Sequence, residues 1–209
     1  MNEIFMHLAL TGDTWVLVVL VLASVVSIGV MFDRAMAFGK NRGDFTSLME
    51  GFAQCLENKD VDAAVALAEQ SPRVEARVAL AGLKGFHKGL ASVEEMMACR
   101  WLREKKDLER FLIVLGTLGN NAPFIGLFGT VLGIIKAFND LAVTGQSGVS
   151  VVMAGVSSAL IATAFGILVA IPAVAANNYF VTRLKDIQTD SDILSRVVLS
   201  YLKEERVRP

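Results

Sequence analysis

The chain has 209 residues, of which 54% are hydrophobic, and its mean hydropathy is +0.52. This composition is too apolar for an ordinary soluble domain and indicates a membrane protein, while the 20% of charged residues require part of the chain to lie in water. The formal net charge of -1 excludes the strongly basic balance of a nucleic-acid-binding protein.

The first apolar run, TWVLVVLVLASVVSIGVMF, extends from Thr14 to Phe32 without a charged residue. A membrane-spanning helix needs about 20 such residues, and Trp15 lies where an interfacial aromatic side chain is expected. Acidic residues precede the run where a signal peptide would carry basic ones. We therefore predict a periplasmic N-terminus over 1–13 and an uncleaved, lipid-facing transmembrane helix over 14–32.

Residues 33–110 are predicted to form a cytoplasmic helical domain. In the segment DVDAAVALAEQSP, an aspartate can cap a helix that stops at Ser71-Pro72. The later segment SVEEMMACRWLREKKDLERF opens with the capping box Ser92-x-x-Glu95. Its mixed charges indicate a solvated helix face with i,i+4 ion pairs, and a docking surface is the alternative interpretation.

This last segment continues into the second apolar run without a local helix breaker. We therefore expect one long helix from about Ser92 to Phe138, leaving the membrane and extending into the cytoplasm. Pro123 is its only strong interruption in the sequence.

The same part of the chain shows no pattern of catalysis or metal binding. Cys55 and Cys99 form no metal-ligand spacing with each other or with His7 and His87, and ordinary packing as reduced thiols is expected. No phosphate-binding loop, nucleophile constellation or pair of catalytic carboxylates is found. The sequence therefore predicts no enzyme, no metal site and no cofactor.

Two further apolar runs complete the membrane part. They predict transmembrane helices over 111–138 and 149–181, joined by a short periplasmic loop over 139–148 and followed by a cytoplasmic C-terminal helix over 182–209. Every Lys and Arg except Lys136 falls in residues 33–110 or in the C-terminal segment. The positive-inside rule therefore places the N-terminus outside and the C-terminus inside.

On a helical wheel, the second and third spans each collect their small residues on one face. Small residues let helix backbones approach closely in lipid, so packing explains most of them. The residues that define the two faces are Gly126, Gly129 and Gly133 on the second span and Gly155, Ala159 and Gly166 on the third.

Hydroxyl side chains accompany these small faces. Thr130 lies on the first face, and Thr163 and Ser158 flank the second. A lone Thr can bond to its own helix backbone, but two of them on facing helices predict a polar seam or pore lining. Residues 14–32, 111–135 and 149–182 hold no Asp, Glu, Lys, Arg or His, so protons would need either water along these hydroxyls or an acid from a partner.

At APFIGLFGTVLGI (122–134) and ALIATAFGILVAIPAVAANNYF (159–180) the sequence resembles the MotA/TolQ/ExbB family, most closely its TolQ and ExbB branch. The resemblance implies an all-α integral membrane protein that forms a homopentamer in the bacterial inner membrane. It implies a partner of the ExbD or TolR type, with one span and an intramembrane Asp, and ion flow coupled to mechanical work on the cell envelope. It also implies that Thr130 and Thr163 line the ion path and that Pro123 and Pro172 are the motif prolines.

One departure from the family pattern concerns the third span. The family typically has G-x-A-E-A-L, whereas residues 155–160 read GVSSAL, so Ser158 stands in place of Glu. Serine does not titrate near neutral pH, and a mechanism that needs this Glu does not carry over. The MotA branch also lacks it, and the change is compatible with a specialised member such as a gliding-motility motor of the TolQ type. A stand-alone ion channel and a structural scaffold are the alternative functions, and the choice between protons and sodium stays open.

Overall fold

The computed structural model of the protein describes residues 14–41, 43–144 and 148–207. The predicted periplasmic N-terminus with His7, residues 145–147 of the predicted loop and the last residues of the predicted C-terminal helix lie outside the described residues. All regular structure in the described ranges is helical. The elements are α1 (Thr14–Gly39), α2 (Phe45–Glu57), α3 (Val61–Gln70), α4 (Val74–Leu83), a 3-10 turn (Phe86–Lys88), α5 (Leu90–Glu109), α6 (Leu112–Thr144) and α7 (Gly148–Val207).

Three stretches of helix are long and apolar enough to cross a membrane. They lie within Thr14–Gly39, Leu90–Val143 and Val152–Lys203. The fold is therefore all-α with three candidate membrane-spanning helices, as the sequence predicts. Helix α6 continues to Thr144, beyond the predicted end of the second span, and α7 includes both the predicted third span and most of the predicted C-terminal helix.

The starts of the helices in the middle of the chain follow local capping rules only in part. Asp60 caps α3, because its carboxylate accepts a hydrogen bond of 2.8 Å from the Ala63 amide, and α3 ends at Gln70 before Ser71 as predicted. The predicted capping box at Ser92 was wrong. Helix α5 begins two residues earlier, at Leu90, and its N-cap residue is Gly89, which has no side chain to cap the helix. Gly89 has a φ of 98°, a backbone conformation that glycine adopts readily. The capping-box pattern considers only side chains and therefore does not indicate a helix start at this glycine.

The expected single helix from Ser92 to Phe138 was also wrong. Helix α5 ends at Glu109 and α6 begins at Leu112, with Phe111 at a φ of 63° between them. Pro123 does not interrupt α6, and Pro172 does not interrupt α7. Membrane helices tolerate proline because neighbouring groups can satisfy the backbone carbonyl that it leaves unpaired.

The chain divides into two compact units, of which the first contains residues up to Asp33 and Phe111–Asn178. Its core is small, because α1 buries only one stripe of side chains against α6 and α7. That stripe has the spacing of one helix face and consists of Val16, Leu20, Ala23 and Ser27. Most other large side chains of α1 are exposed, among them Val18, Leu22, Val25 and Ile28.

The second unit contains Arg34–Arg110 and the residues from Tyr179 onward. Helix α2 buries Leu48, Phe52 and Leu56 against α3, α4 and the last part of α7. A charged network lies beside this core. The fully buried Glu75 pairs with Arg73, whose guanidinium also lies 3.3 Å from the Asp190 carboxylate on α7. Burial raises the pKa of Asp190, and the negative charge of Glu75 raises it further.

Candidate ion pathway

Helices α6 and α7 approach each other backbone to backbone at Gly126 and Gly166. A Cβ added to Gly126 would lie 2.6 Å from the Ala162 carbonyl oxygen, and one added to Gly166 would lie 2.6 Å from the Ala122 carbonyl oxygen. Only hydrogen atoms fit in this space, so both positions require glycine. The two predicted small faces therefore pack against each other within one chain.

The remaining small residues extend this contact along both helices. Gly133 lies against Ala159, Gly155 lies against Ala137, and Gly129 lies against Ala162 and against Val16 of α1. Residue numbers rise on one helix as they fall on the other, so α6 and α7 are antiparallel. The shared face leaves the pair in direct backbone contact over several turns.

This register places Thr163 against Gly126, about one helical turn before Thr130 on α6. Thr130 is 7% exposed, and its hydroxyl donates a hydrogen bond of 2.6 Å to the Leu127 carbonyl on its own helix. The hydroxyl oxygen of Thr163 is buried and has no hydrogen-bond partner among the described residues. A buried, unpaired hydroxyl is unusual, because burying a polar group without a partner costs free energy.

Ser158 lies apart from the two threonines. Its side chain is exposed and contributes to a cavity of about 410 Å³ between the connected ends of α6 and α7. The other residues that line the cavity are Gly133, Lys136, Ala137, Asp140, Ser150, Ala154 and Gly155. Lys136 is the one basic residue of the predicted spans, so this cavity brings charged side chains close to the end of the small-residue contact.

Two polar residues of the first unit were missed by reasoning from the sequence. Ser27 is 2% exposed on α1, and its hydroxyl has no hydrogen-bond partner in the described part of the chain; the same holds for the buried indole nitrogen of Trp15. The signal for Ser27 was available, since it continues the helical spacing of Val16, Leu20 and Ala23. Trp15 was interpreted only as an interfacial aromatic, although its ring also packs edge-on against Phe128, with centroids 6.1 Å apart.

Asparagines lie at the other end of the α6–α7 contact. The Asn177 amide lies over Gly116, about 3.5 Å from the position where a Cβ would be. Asn121, which is exposed, donates a hydrogen bond of 2.8 Å to the Thr117 carbonyl one turn earlier. Asn121 thus satisfies its amide locally, whereas Asn177 lies over a glycine of the facing helix.

The paired, uncharged faces of α6 and α7 fall within a segment that matches a known protein family. Residues 70–192, more than half of the chain, match the model of the MotA/TolQ/ExbB proton channel family. The chain belongs to the MotA/TolQ/ExbB family. With its three apolar helices, this family member is a multi-pass inner-membrane protein.

Individual relatives of this MotA/TolQ/ExbB chain belong to the TolQ and ExbB branch. The Tol-Pal system protein TolQ of Pseudomonas aeruginosa is 48% identical over 81 residues, which are 39% of this chain and 35% of that protein. The biopolymer transport protein ExbB of Pseudomonas putida is 44% identical over 87 residues, or 41% of this chain and 26% of that one. The ExbB of Salmonella typhimurium is 31% identical over 194 residues, which cover 88% of this chain and 79% of the relative.

Proposed function

We propose that this chain is a TolQ/ExbB-like subunit of an inner-membrane motor that is driven by the proton motive force. The observation that carries the proposal is the family match over residues 70–192, which includes the threonine-bearing faces of both α6 and α7. The working complex is a homopentamer around a partner of the ExbD or TolR type. Ion flow through this complex performs mechanical work on the cell envelope.

The ion pathway of the proposed motor follows the hydroxyls of α6 and α7. Thr163 lies against Gly126, about one helical turn from Thr130, and the three apolar segments carry no carboxylate of their own. Because a proton relay through lipid normally needs an ionisable group, the single-span partner supplies it as an intramembrane Asp. The unpaired hydroxyl of Thr163 is the group of this chain that we assign to the passing ion or its water.

The enclosure of Thr163 implies movement during the ion-driven cycle. Its hydroxyl oxygen is covered within the single chain, so an ion reaches it only when the surrounding helices shift. Ser158, with Lys136 and Asp140, lines the proposed outer end of this pathway.

The roles of the two threonines are tested by replacement with valine, which keeps the shape of the side chain and removes the hydroxyl. We expect Thr163→Val to lower proton flux, measured in proteoliposomes that contain the partner, by about tenfold or more, the factor that corresponds to about 1.4 kcal/mol. Thr130→Val should lower it less, because its hydroxyl already bonds to its own helix. The matched control is Thr117→Val, at an exposed position on α6. The Thr117 backbone carbonyl accepts a hydrogen bond from Asn121, and this bond does not involve the hydroxyl that valine removes.

The same experiment separates the alternative functions. Unchanged proton flux in both Thr163→Val and Thr130→Val would contradict the roles that we assign to the two hydroxyls. Strong flux from the purified chain without a partner would favour a stand-alone channel. Full envelope function of both variants in cells, without any measurable flux, would favour a structural scaffold.

A further inference from the structure

A cavity of about 570 Å³ lies within the second unit. It is lined by the last turns of α1, by residues between α1 and α2, and by the part of α7 that follows the third apolar run. Its wall combines aromatic side chains, among them Phe38 and Phe180, with the charged side chains of Arg183, Asp186 and Asp190. The two rings stack with centroids 5.2 Å apart, so packing fixes the aromatic part of the wall. A wall of this composition suits a ligand that is both apolar and charged.

The cavity lies close to the point where the chain leaves the predicted spans. On α7 the first charged residue after the third apolar run is Arg183, and on α1 the first charged residue after the first run is Asp33. At a rise of about 1.5 Å per residue, the charged stretch of α7 from Arg183 to Asp186 extends about 4.5 Å beyond the apolar run. The polar layer on each face of a bilayer is roughly 5–8 Å deep. This part of the wall therefore falls at the depth of the lipid headgroups, where the exposed Tyr179 ring also fits an interfacial position.

The side chains around Asp190 carry an excess of negative charge. The Arg73 guanidinium donates hydrogen bonds to both carboxylate oxygens of the buried Glu75, and it also lies 3.3 Å from the Asp190 carboxylate. Two carboxylates thus share one guanidinium, while Asp186 and Arg183 add one charge of each sign. Burial raises the pKa of Asp190, and repulsion from Glu75 raises it further. A cation in the cavity beside Asp190 would supply the missing positive charge.

Arg183 remains available to an anionic group. Its Nη1 lies 4.0 Å from the Asp186 carboxylate, and both side chains are more than half exposed, so this pair contributes little. A guanidinium has five N–H donors and matches the geometry of a phosphate. Residues 183, 186 and 190 follow each other at i, i+3 and i+7 and therefore share one face of α7. A basic group followed by two acidic groups on a single face fits a zwitterion that carries a phosphate and an ammonium group.

We propose that this cavity binds the headgroup of a phospholipid of the phosphoethanolamine class. The Arg183 guanidinium donates hydrogen bonds to the phosphate, and the Asp186 and Asp190 carboxylates accept hydrogen bonds from the ammonium group. A choline headgroup has no N–H to donate, and a glycerol headgroup has no positive charge, so neither satisfies the carboxylates. The site belongs to the second unit alone and does not depend on whether the chain passes ions.

Native mass spectrometry of the purified full-length protein in detergent measures this binding. The protein is titrated with phosphatidylethanolamine, phosphatidylcholine and phosphatidylglycerol that carry the same acyl chains. We expect phosphatidylethanolamine to bind at least about tenfold more tightly than the other two, the factor expected from one charged hydrogen bond. Asp186→Asn and Arg183→Gln should each remove most of this preference. Both positions are exposed and leave the Arg73–Glu75 pair in place, so the variants should fold.

The matched controls are Asp192→Asn and Arg196→Gln, which change exposed charges farther along α7 and outside the cavity. Both should keep the preference for phosphatidylethanolamine. Equal binding of the three lipids, or a preference that survives in Asp186→Asn and Arg183→Gln, would overturn the proposal.

A competition experiment separates a lipid headgroup from a soluble amine. Glycerophosphoethanolamine, which carries the whole headgroup without acyl chains, should displace phosphatidylethanolamine at high concentration. Putrescine has no phosphate for Arg183 and should displace it at least about tenfold less well. Equal displacement by the two compounds would show that the site takes soluble amines, and the lipid assignment would then be wrong.

Discussion

Gly126 and Gly166 show how strongly single residues determine the membrane part of this protein. At both positions the facing backbone occupies the space of a Cβ. The contact therefore depends on the absence of a side chain, and helical periodicity identified both positions because small residues collected on one face. Helical periodicity could not show whether this face packs against another helix of the same chain or lines a pore, because small residues suit both environments.

At the residue scale we predict that Gly126→Ala destabilises the chain by about 1–3 kcal/mol, because the methyl group would press on the Ala162 carbonyl and the helices would separate. The measurement is unfolding of the purified chain in mixed micelles with increasing denaturing detergent. Gly29→Ala on α1 is the matched control, since a Cβ there meets nothing within 4 Å. It should be neutral or stabilising by up to about 1 kcal/mol, and equal destabilisation by both variants would contradict the close-contact explanation.

At the scale of elements, α4 and α5 are joined by an ion pair rather than by apolar contacts alone. Arg77 donates hydrogen bonds of 3.0 Å and 2.7 Å to the two carboxylate oxygens of Glu104, which also pairs with Arg100. The hydrogen bond to Glu104 raises the pKa of Arg77. Burial alone would raise the pKa of Glu104, but the hydrogen bonds and charges of Arg77 and Arg100 lower it on balance.

A lowered carboxyl pKa gives the pair a defined pH dependence. The unfolded chain binds a proton at Glu104 more readily than the folded chain, so the stabilisation is present above the unfolded pKa of about 4.3 and is lost as the pH falls through the folded value. We predict that Glu104→Gln lowers stability by about 1–2 kcal/mol at pH 7, a range reduced for screening by solvent because the Arg77 side chain is 37% exposed.

Thermal unfolding of the purified chain between pH 7 and pH 3.5 measures this difference. The gap between Glu104→Gln and the parent should narrow as the pH falls, because the lowered pKa of Glu104 lies below the unfolded value. Glu94→Gln, an exposed glutamate on the same helix, is the control and should change stability by less than about 0.5 kcal/mol. A gap that persists unchanged at low pH would assign the effect to packing rather than to charge.

At the scale of the whole molecule, the basic residues predict the direction in which the chain crosses the membrane. The distribution of basic residues predicts that residues 33–110 lie inside the cell. Cys99 is a free, exposed thiol on α5 and reports directly on this segment. In a Cys55→Ser background, we predict that a membrane-impermeant maleimide labels Cys99 in inverted membrane vesicles and leaves it unlabelled in intact spheroplasts.

A cysteine introduced at Ala142, an exposed position near the end of α6, should show the opposite labelling. Labelling of both positions from one side would place the segments that precede and follow the second span in the same compartment. That result would contradict the three-span topology. Labelling of Cys99 only in spheroplasts would reverse the orientation.

Sequence alone determined the features that depend on solvent preference and local capping. The three apolar runs, the small faces of α6 and α7, the Asp60 cap and the family motifs all follow from residue type and spacing, because lipid and helix geometry act on each segment separately. The Ser158 departure is likewise a property of the sequence.

Tertiary structure decided the features in which a distant residue replaces a local partner. Arg34 donates hydrogen bonds to the Asp107 and Leu108 carbonyls, more than seventy positions away in the chain, and α5 ends at Glu109, where local propensity would continue it. Helical periodicity predicts the same pore-lining role for Thr130 and Thr163. In the structure the Thr130 hydroxyl bonds to its own helix, whereas the Thr163 hydroxyl is buried without a partner among the described residues. Spacing along one helix defines which residues share a face, but only the packing of the helices against each other defines what that face meets.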